Sequence, residues 1–342
     1  VADSPKARET LFINMRDMDP KKISWSRGLL NTFCKGETIA KDGNYQISMH
    51  RPFCKENFYF SGKIVEWPSQ WIKIYPNATY KNRVICVSAT SIKGFSVLMT
   101  DSIQDYDLVQ HAQCFPLYLY EKNENTDAAQ LSFDNMTTGE NVTWVKRCAI
   151  TDAILSRFKG LYGERVTKED IFYYIYAVLQ CKQYNELYRE NLVKEMPRIP
   201  MLAHFPDYVR IGRELADLHL NYEKPVSAEE LGVTVEMRKE DYTVVDKMRF
   251  GKGKDKSMIE YNPYITIRNI PTKAYDYIVN GKSAIEWIVE QYAVTTDKAS
   301  GIVNDPNTYA GGKYIFDLLL SIISVSLKTQ ELIAQLPEYK EI

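Results

Sequence analysis

At 342 residues with 45% hydrophobic content, the chain can bury one large core or two modest ones. Lys and Arg number 43 against 44 Asp and Glu, so the net charge is −1 and there is no global basic signature. The most apolar run, Tyr314 to Leu327, is interrupted by Asp317 and too short to cross a bilayer, which excludes a membrane span there and leaves a core helix.

The charge is uneven along the chain. Residues 1–100 carry 15 Lys and Arg against 8 Asp and Glu, whereas residues 101–150 carry 3 against 8. A basic N-terminal third is a candidate nucleic-acid face in spite of the neutral total. Within it, residues 1–30 mix charge and aromatics, with a short helix expected from Lys21 to Leu30. From about Tyr45 to Tyr120 the pattern is β. Tyr45 to His50 and Trp71 to Tyr75 alternate, while Arg83 to Ser88 and Phe95 to Met99 are continuous apolar runs that read as central strands. Leu117 to Tyr120 closes the region.

Residues 121–144 are polar and form the best candidate for a linker or long loop. Helical character follows. Thr151 and Asp152 can cap a helix through Lys159, and Thr167-Lys-Glu-Asp170 has the form of a capping box, with Asp170 in place of the usual Glu. A helix from His204 to Tyr222 comes after the break at Pro197 and Pro200. Residues 232–275 return to β, Ser283 caps a helix through Tyr292, and a long helix runs from Tyr314 to Leu336, stopped by Pro337. The expected fold class is α+β, with a β-rich N-terminal lobe, a helical middle, a β-hairpin insertion and C-terminal helices.

The β insertion carries a charge cluster. Thr243 to Phe250 and Met258 to Arg268 read as two arms, with Gly251 and Gly253 permitting the turn between them. Lys247, Arg249, Lys252, Lys254 and Lys256 face a single anion, Asp255. A mobile tip with a charge of about +4 suits a phosphate backbone, and it equally describes a solvated turn.

No catalytic centre emerges. The histidines at 50, 111, 204 and 219 are scattered, and the cysteines at 34, 54, 86, 114, 148 and 181 lack the spacing of a zinc site. The cysteines read as buried reduced thiols, which suits a cytoplasm. The sequence has no phosphate-binding Gly-x-x-x-x-Gly-Lys-Ser/Thr element and no nucleophile elbow. Asn262-Pro-Tyr264 falls one proline short of the Asn-Pro-Pro-Tyr that amino-methyltransferases use, and it reads as a strand kinked at Pro263. Asp297 and Asp305 flank Ser300-Gly301, but Asp305 before Pro306 reads as a turn residue.

What remains is binding. Duplex recognition needs cations for phosphates and amide or guanidinium groups for base edges. The N-terminal lobe offers Arg51, Lys55, Lys81, Arg83 and Lys93, with Phe53, Tyr59 and Tyr80 interleaved. Arg51 has two readings, a guanidinium aimed outward by Pro52 or a bridge between loops. Lys93-Gly94 is either a groove-entering loop or a plain hairpin turn, and Arg198, between two prolines, reads as a structural tie.

Several runs carry a resemblance. Tyr261-Asn-Pro-Tyr-Ile-Thr-Ile267, Asn280-Gly-Lys-Ser-Ala-Ile-Glu-Trp287 and Ser300-Gly-Ile-Val-Asn-Asp-Pro-Asn307 closely resemble the C-terminal end of type ISP restriction-modification enzymes. Arg51-Pro-Phe-Cys-Lys55 with Phe58-Tyr-Phe60, Phe115-Pro-Leu-Tyr-Leu-Tyr120, Ile171 to Tyr176 with Pro197-Arg-Ile-Pro200, and Leu215 to Glu223 extend the likeness over nearly the whole chain. One departure is Ala177-Val-Leu-Gln-Cys181, where relatives tend to have Gly-Val-Leu-His-Ser, so any role of that histidine does not carry over.

The resemblance implies a target-recognition domain. It would read double-stranded DNA and present an adenine to an adjacent methyltransferase domain, beside a helicase-like motor and a nuclease on the same polypeptide. S-adenosylmethionine, ATP and Mg are then expected on those other domains, with no cofactor, metal or catalytic residue on this stretch, whose start at Val1 reads as a piece of something longer. The DNA-recognition lobe is expected over 1–130 and a helical lobe with the β insertion over 145–342. The expected DNA contacts are Arg51, Lys55, Tyr59, Lys81, Arg83 and Lys93 in the lobe, and Arg249, Lys252, Lys254 and Lys256 in the hairpin. The rival reading is a module that docks motor to methyltransferase without reading bases.

Overall fold

The structure is a computed structural model describing residues 6, 10, 26–37, 43–61, 64–65, 68–89, 93–123, 144–240, 242–298 and 301–342. Strands β1 (Asn44–Arg51) and β2 (Cys54–Phe60) form an antiparallel hairpin, and β5 (Ile103–Gln104) joins β1 in parallel. Strands β3 (Val84–Val87), β4 (Val97–Thr100) and β6 (Gln113–Pro116) make a second antiparallel sheet with β3 in the middle. Strands β7 (Tyr118–Lys122) and β8 (Trp144–Cys148) pair across the polar stretch expected to be a linker, most of which lies outside the described residues.

One strand expectation is corrected. Trp71–Ile74 is a short helix, not a strand. Four alternating residues between Pro68 and Pro76 are too few for periodicity to decide. The helix buries Ile74 and sets the Trp71 ring 5.7 Å from Phe58 and 6.3 Å from Phe60. The early helix begins later than expected, at Arg27, and runs to Cys34, while positions 21–25 lie outside the described residues.

The long helices are α1 (Asp152–Tyr162), α2 (Lys168–Gln180), α3 (Phe205–Leu220), α4 (Ala284–Gln291) and α5 (Gly312–Ala334). Their caps follow the sequence. The Thr167 hydroxyl accepts from the Asp170 backbone N–H and the Asp170 carboxylate accepts from the Thr167 backbone N–H; Ser283 and Glu286 repeat that arrangement at α4. Helices α2 and α3 approach closely because Gly212 has no side chain. A Cβ there would sit 2.0 Å from the Tyr173 carbonyl oxygen.

The β insertion is a four-stranded antiparallel sheet in the order β10 (Arg249–Gly251), β11 (Asp255–Asn262), β12 (Ile265–Arg268), β9 (Thr234–Met237). The expected long hairpin arms are therefore shorter. The first is strand only from Arg249, and the second turns at Asn262-Pro-Tyr264 into two strands. Asn262 explains the turn. Its amide oxygen accepts from the Tyr264 and Ile265 backbone N–H groups at 2.9 and 2.8 Å, and its amide nitrogen donates to the Tyr242 and Val244 carbonyls at 2.9 and 3.0 Å. Asn280-Gly281, both at positive φ, then turns β13 (Ile278–Val279) into β14 (Lys282–Ser283).

The buried apolar side chains among the described residues gather into two hydrophobic cores. One gathers Ile315, Leu319 and Ile322 of α5, Ile285 and Ile288 of α4, and Ile259, Ile265 and Ile267 of the β insertion. The other is built on α2 and α3. Strand β3 feeds both, with Val84 and Cys86 in the first and Ile85 and Val87 in the second. The strand-rich and helix-rich parts of the chain thus share their cores.

His219 lies where the two cores meet. It stacks on Tyr277, with ring centroids 5.0 Å apart. The Thr329 hydroxyl donates to the Val325 carbonyl at 2.7 Å, so it accepts from His219 Nε2–H at 2.8 Å. His219 Nδ1 then accepts from the Tyr176 hydroxyl at 2.5 Å. Burial holds this imidazole neutral, with its pKa pushed down to about 3. Among the described residues no helix is long and apolar enough to cross a membrane.

Candidate nucleic-acid interface

Most cations expected in the N-terminal lobe are engaged inside the chain. Arg51 ends β1 just before Pro52. It donates to the His50 carbonyl at 2.7 Å and to Asp105 Oδ1 at 3.0 Å, and Asp105 also meets His50 at 3.3 Å. Of its two readings, the geometry is that of the loop bridge. Lys55 meets Glu223 at 2.5 Å and lies 5.0 Å from the Tyr222 ring centroid, while Glu223 also accepts from the Tyr314 hydroxyl at 2.6 Å. Arg83 donates to the Tyr173 hydroxyl and lies 3.8 Å from Asp217, tying β3 to α2 and α3.

Lys93 sits in the turn between β3 and β4. Its Cβ lies 3.1 Å from where a side chain on Gly281 would begin, so it rests on the Asn280-Gly281 turn. That turn is pinned to the same hairpin through the Ser96 hydroxyl, which accepts from Asn280 N at 2.8 Å. Lys93 is thus placed at a packed junction. Arg198 meets Glu195 at 3.4 Å with 91% of its side chain exposed, and the nearby chain is held instead by its carbonyl, which accepts from Tyr184 at 2.9 Å.

Lys81 is different. It is exposed and has no ion-pair partner among the described residues. It lines a cleft of about 790 Å³ with Ile47, Lys55, Asn57, Asp101, Tyr309 and Tyr314, and also a neighbouring hollow of about 500 Å³ that contains Arg83 and Lys146. The cleft is bordered by the outward face of the β1–β2 hairpin. Register pairs Tyr45 with Tyr59 and Ile47 with Asn57 on that face. Tyr59 is fixed there, since its hydroxyl accepts from Gly43 N at 2.9 Å and its ring meets Tyr45 at 5.3 Å.

The hairpin of the β insertion keeps most of its charge free. Its tip is Lys252-Gly253-Lys254, with Gly253 and Lys254 at φ of 72° and 64°. Arg249, Lys252 and Lys254 are exposed, with no ion-pair partner among the described residues. Lys256 is engaged, 2.9 Å from Glu286 and 5.1 Å from the Tyr275 ring centroid. Burial would raise the Glu286 pKa, but hydrogen bonds from Lys256 and Ser283 outweigh it and hold the carboxyl below its usual range.

The structure brings Lys55, Tyr59 and Lys81 to one cleft and its border, and sets Arg249, Lys252 and Lys254 on a separate protrusion. Sequence reasoning missed the uncharged members of the cleft face, Tyr45, Ile47 and Asn57. The alternation at Tyr45-Gln-Ile47 puts two bulky residues on one side, and exposure of that side is what the sequence does not announce.

No group of three or more metal-ligating side chains gathers among the described residues. The side-chain amide of Asn262 is saturated by the four backbone bonds given above, which leaves it no group for another ligand. Asp305 caps the short helix Pro306–Tyr309, its carboxylate accepting from Asn307 N at 2.9 Å.

The sequence model of the Type ISP C-terminal specificity domain matches residues 2–318. The chain belongs to that family. Three solved structures are similar over nearly its whole length. The ATP-dependent Type ISP restriction-modification enzyme LlaBIII bound to DNA is 36% identical with a TM-score of 0.84 over 99% of this chain. A nuclease-deletion mutant of the Type ISP enzyme LlaGI, in complex with a DNA substrate mimic, is 32% identical with a TM-score of 0.78 over 100%. The DrdV–DNA complex is 27% identical with a TM-score of 0.76 over 97%. The chain spans 21%, 26% and 33% of the length of those three chains. No curated protein matches it. The specificity-domain fold confirms the expected α+β architecture.

Proposed function

We propose that this specificity domain reads a duplex DNA sequence for a type ISP restriction-modification enzyme. It sets a target adenine before an adjacent methyltransferase domain and licenses a motor and nuclease on the same polypeptide. The observation that carries this reading is the likeness, over 97% or more of the chain, to three proteins in complex with DNA or a DNA substrate mimic, two of them Type ISP restriction-modification enzymes. The geometry is compatible with it. Arg249, Lys252 and Lys254, unpaired among the described residues, supply cations for phosphates, and away from Ser48 and Met49, where β5 pairs, the β1–β2 hairpin from Asn44 to Ile47 against Asn57 to Phe60 is a two-stranded ribbon of the kind a major groove admits. Methyl transfer requires the base to leave the stack, chemistry that this chain's own residues do not provide. S-adenosylmethionine, ATP and Mg belong on the other domains.

The test is selection of bound sites from a randomised duplex pool at two salt concentrations, with this chain and with the full polypeptide that carries it. An enriched asymmetric motif that persists at the higher salt supports the reading. Binding that fades with salt and enriches nothing in either form overturns it in favour of a docking module.

A further inference from the structure

We propose that Asn57, with Ile47 beside it, reads one A·T base pair in the major groove. The inference rests on the DNA-reading function above and names the residues that give it specificity. Its starting point is the mixed charge of the cleft. Lys55 is neutralised by Glu223, and Asp101 lines the same cleft as Lys81. A phosphate backbone would meet an anion there, whereas base edges, which carry donors as well as acceptors, would not be repelled.

The second observation is how the fold uses its asparagines. Asn82, Asn262 and Asn307 each tie backbone segments through several hydrogen bonds. Asn57 does none of this. It is exposed on the cleft face, and its side chain has no hydrogen-bond partner among the described residues. Both its donor and its acceptor are therefore open.

Geometry supplies the third. Asn57 is the direct cross-strand partner of Ile47, which keeps 47% of its surface exposed, and the next pair along is Tyr59 with Tyr45, 74% exposed. Directly paired residues hold their side chains about 5 Å apart on one face. A carboxamide is the group that bonds adenine bidentately, accepting from N6–H and donating to N7, and an apolar side chain is what meets a thymine methyl. The Asn57–Ile47 pair presents both groups side by side on a ribbon stiffened by the Tyr45–Tyr59 contact.

The test is a site selection comparing the wild-type protein with Asn57→Ala, Ile47→Ala and the phosphate-side control Lys252→Ala/Lys254→Ala, all in the full polypeptide. Asn57→Ala is expected to relax one A·T position by about tenfold or more while leaving the rest of the motif and the salt dependence unchanged. Replacing that adenine by 7-deazaadenine, which lacks the N7 acceptor, should weaken wild-type binding and leave Asn57→Ala unaffected. A motif unchanged by Asn57→Ala, or uniform weakening across all sequences, would overturn the inference while DNA reading stands. A wild-type protein that enriches no motif would remove the DNA-reading function itself.

Discussion

Removing the two tip cations as Lys252→Ala/Lys254→Ala should lower DNA affinity in a salt-dependent and sequence-independent way. Both side chains are exposed and unpaired among the described residues, so their loss breaks no internal contact. If each lies against one phosphate, the slope of log K against log salt falls by about 0.9 per lysine, or about 1.8 for the pair. Over a fourfold rise in salt, that difference amounts to roughly a tenfold convergence of the wild-type and variant affinities. The measurement is fluorescence anisotropy with a specific and a scrambled duplex at several salt concentrations. Lys256→Ala is the internal contrast. Its ammonium is held by Glu286, so it should alter the slope less and stability more. An unchanged slope in the tip variant would show that the protrusion does not touch the backbone, whatever its charge.

Other perturbations test the scaffold. The depressed pKa of His219 means that stability from its neutral form is complete above about pH 6.5 and declines as pH falls toward about 3. Wild type should therefore lose roughly 2 kcal/mol more than His219→Gln between pH 6.5 and pH 5, measured by urea unfolding, and parallel curves would refute this. Gly212→Ala gains about 1 kcal/mol of helix propensity but drives a Cβ into the Tyr173 carbonyl; the backbone clash should win, giving a net loss of about 1–3 kcal/mol in thermal unfolding. Asn262→Ala leaves two carbonyls and two N–H groups of the β12 turn without their partners, and should cost about 2–4 kcal/mol in the same assay.

Much of the fold was legible because local chemistry and tertiary structure agree. Thr167 with Asp170 and Ser283 with Glu286 form the capping boxes their spacing suggests, and Asp317 did not prevent α5 from being a core helix, since its carboxylate meets Lys313 at 2.7 Å at the surface. Trp71–Ile74 was not legible, because four residues fit either period and only the aromatic cluster around Trp71 decides. Residue type alone named the candidate site residues, and it says nothing of their availability. Arg51, Lys55 and Arg83 look like DNA contacts in sequence, and their partners, Asp105, Glu223 and Tyr173, are 54, 168 and 90 residues away. Asn57 passed unnoticed for the converse reason. An amide is informative only once the structure shows that nothing among the described residues uses it.

The double allegiance of β3 bears on how such domains can be recombined. Its successive side chains serve opposite cores, so a chimera that exchanges the strand-rich third must keep Val84 and Cys86 compatible with α4 and α5 while Ile85 and Val87 stay compatible with α2 and α3. A chimera joined between β7 and β8 inherits both mismatches at once. The β1–β2 hairpin is anchored too, with Met49, Phe53, Cys54 and Phe60 buried, but it leaves Tyr45, Ile47 and Asn57 exposed. Drift in those three exposed side chains leaves the core packing intact, so exchanging them alone is more compatible with the fold than exchanging the whole hairpin.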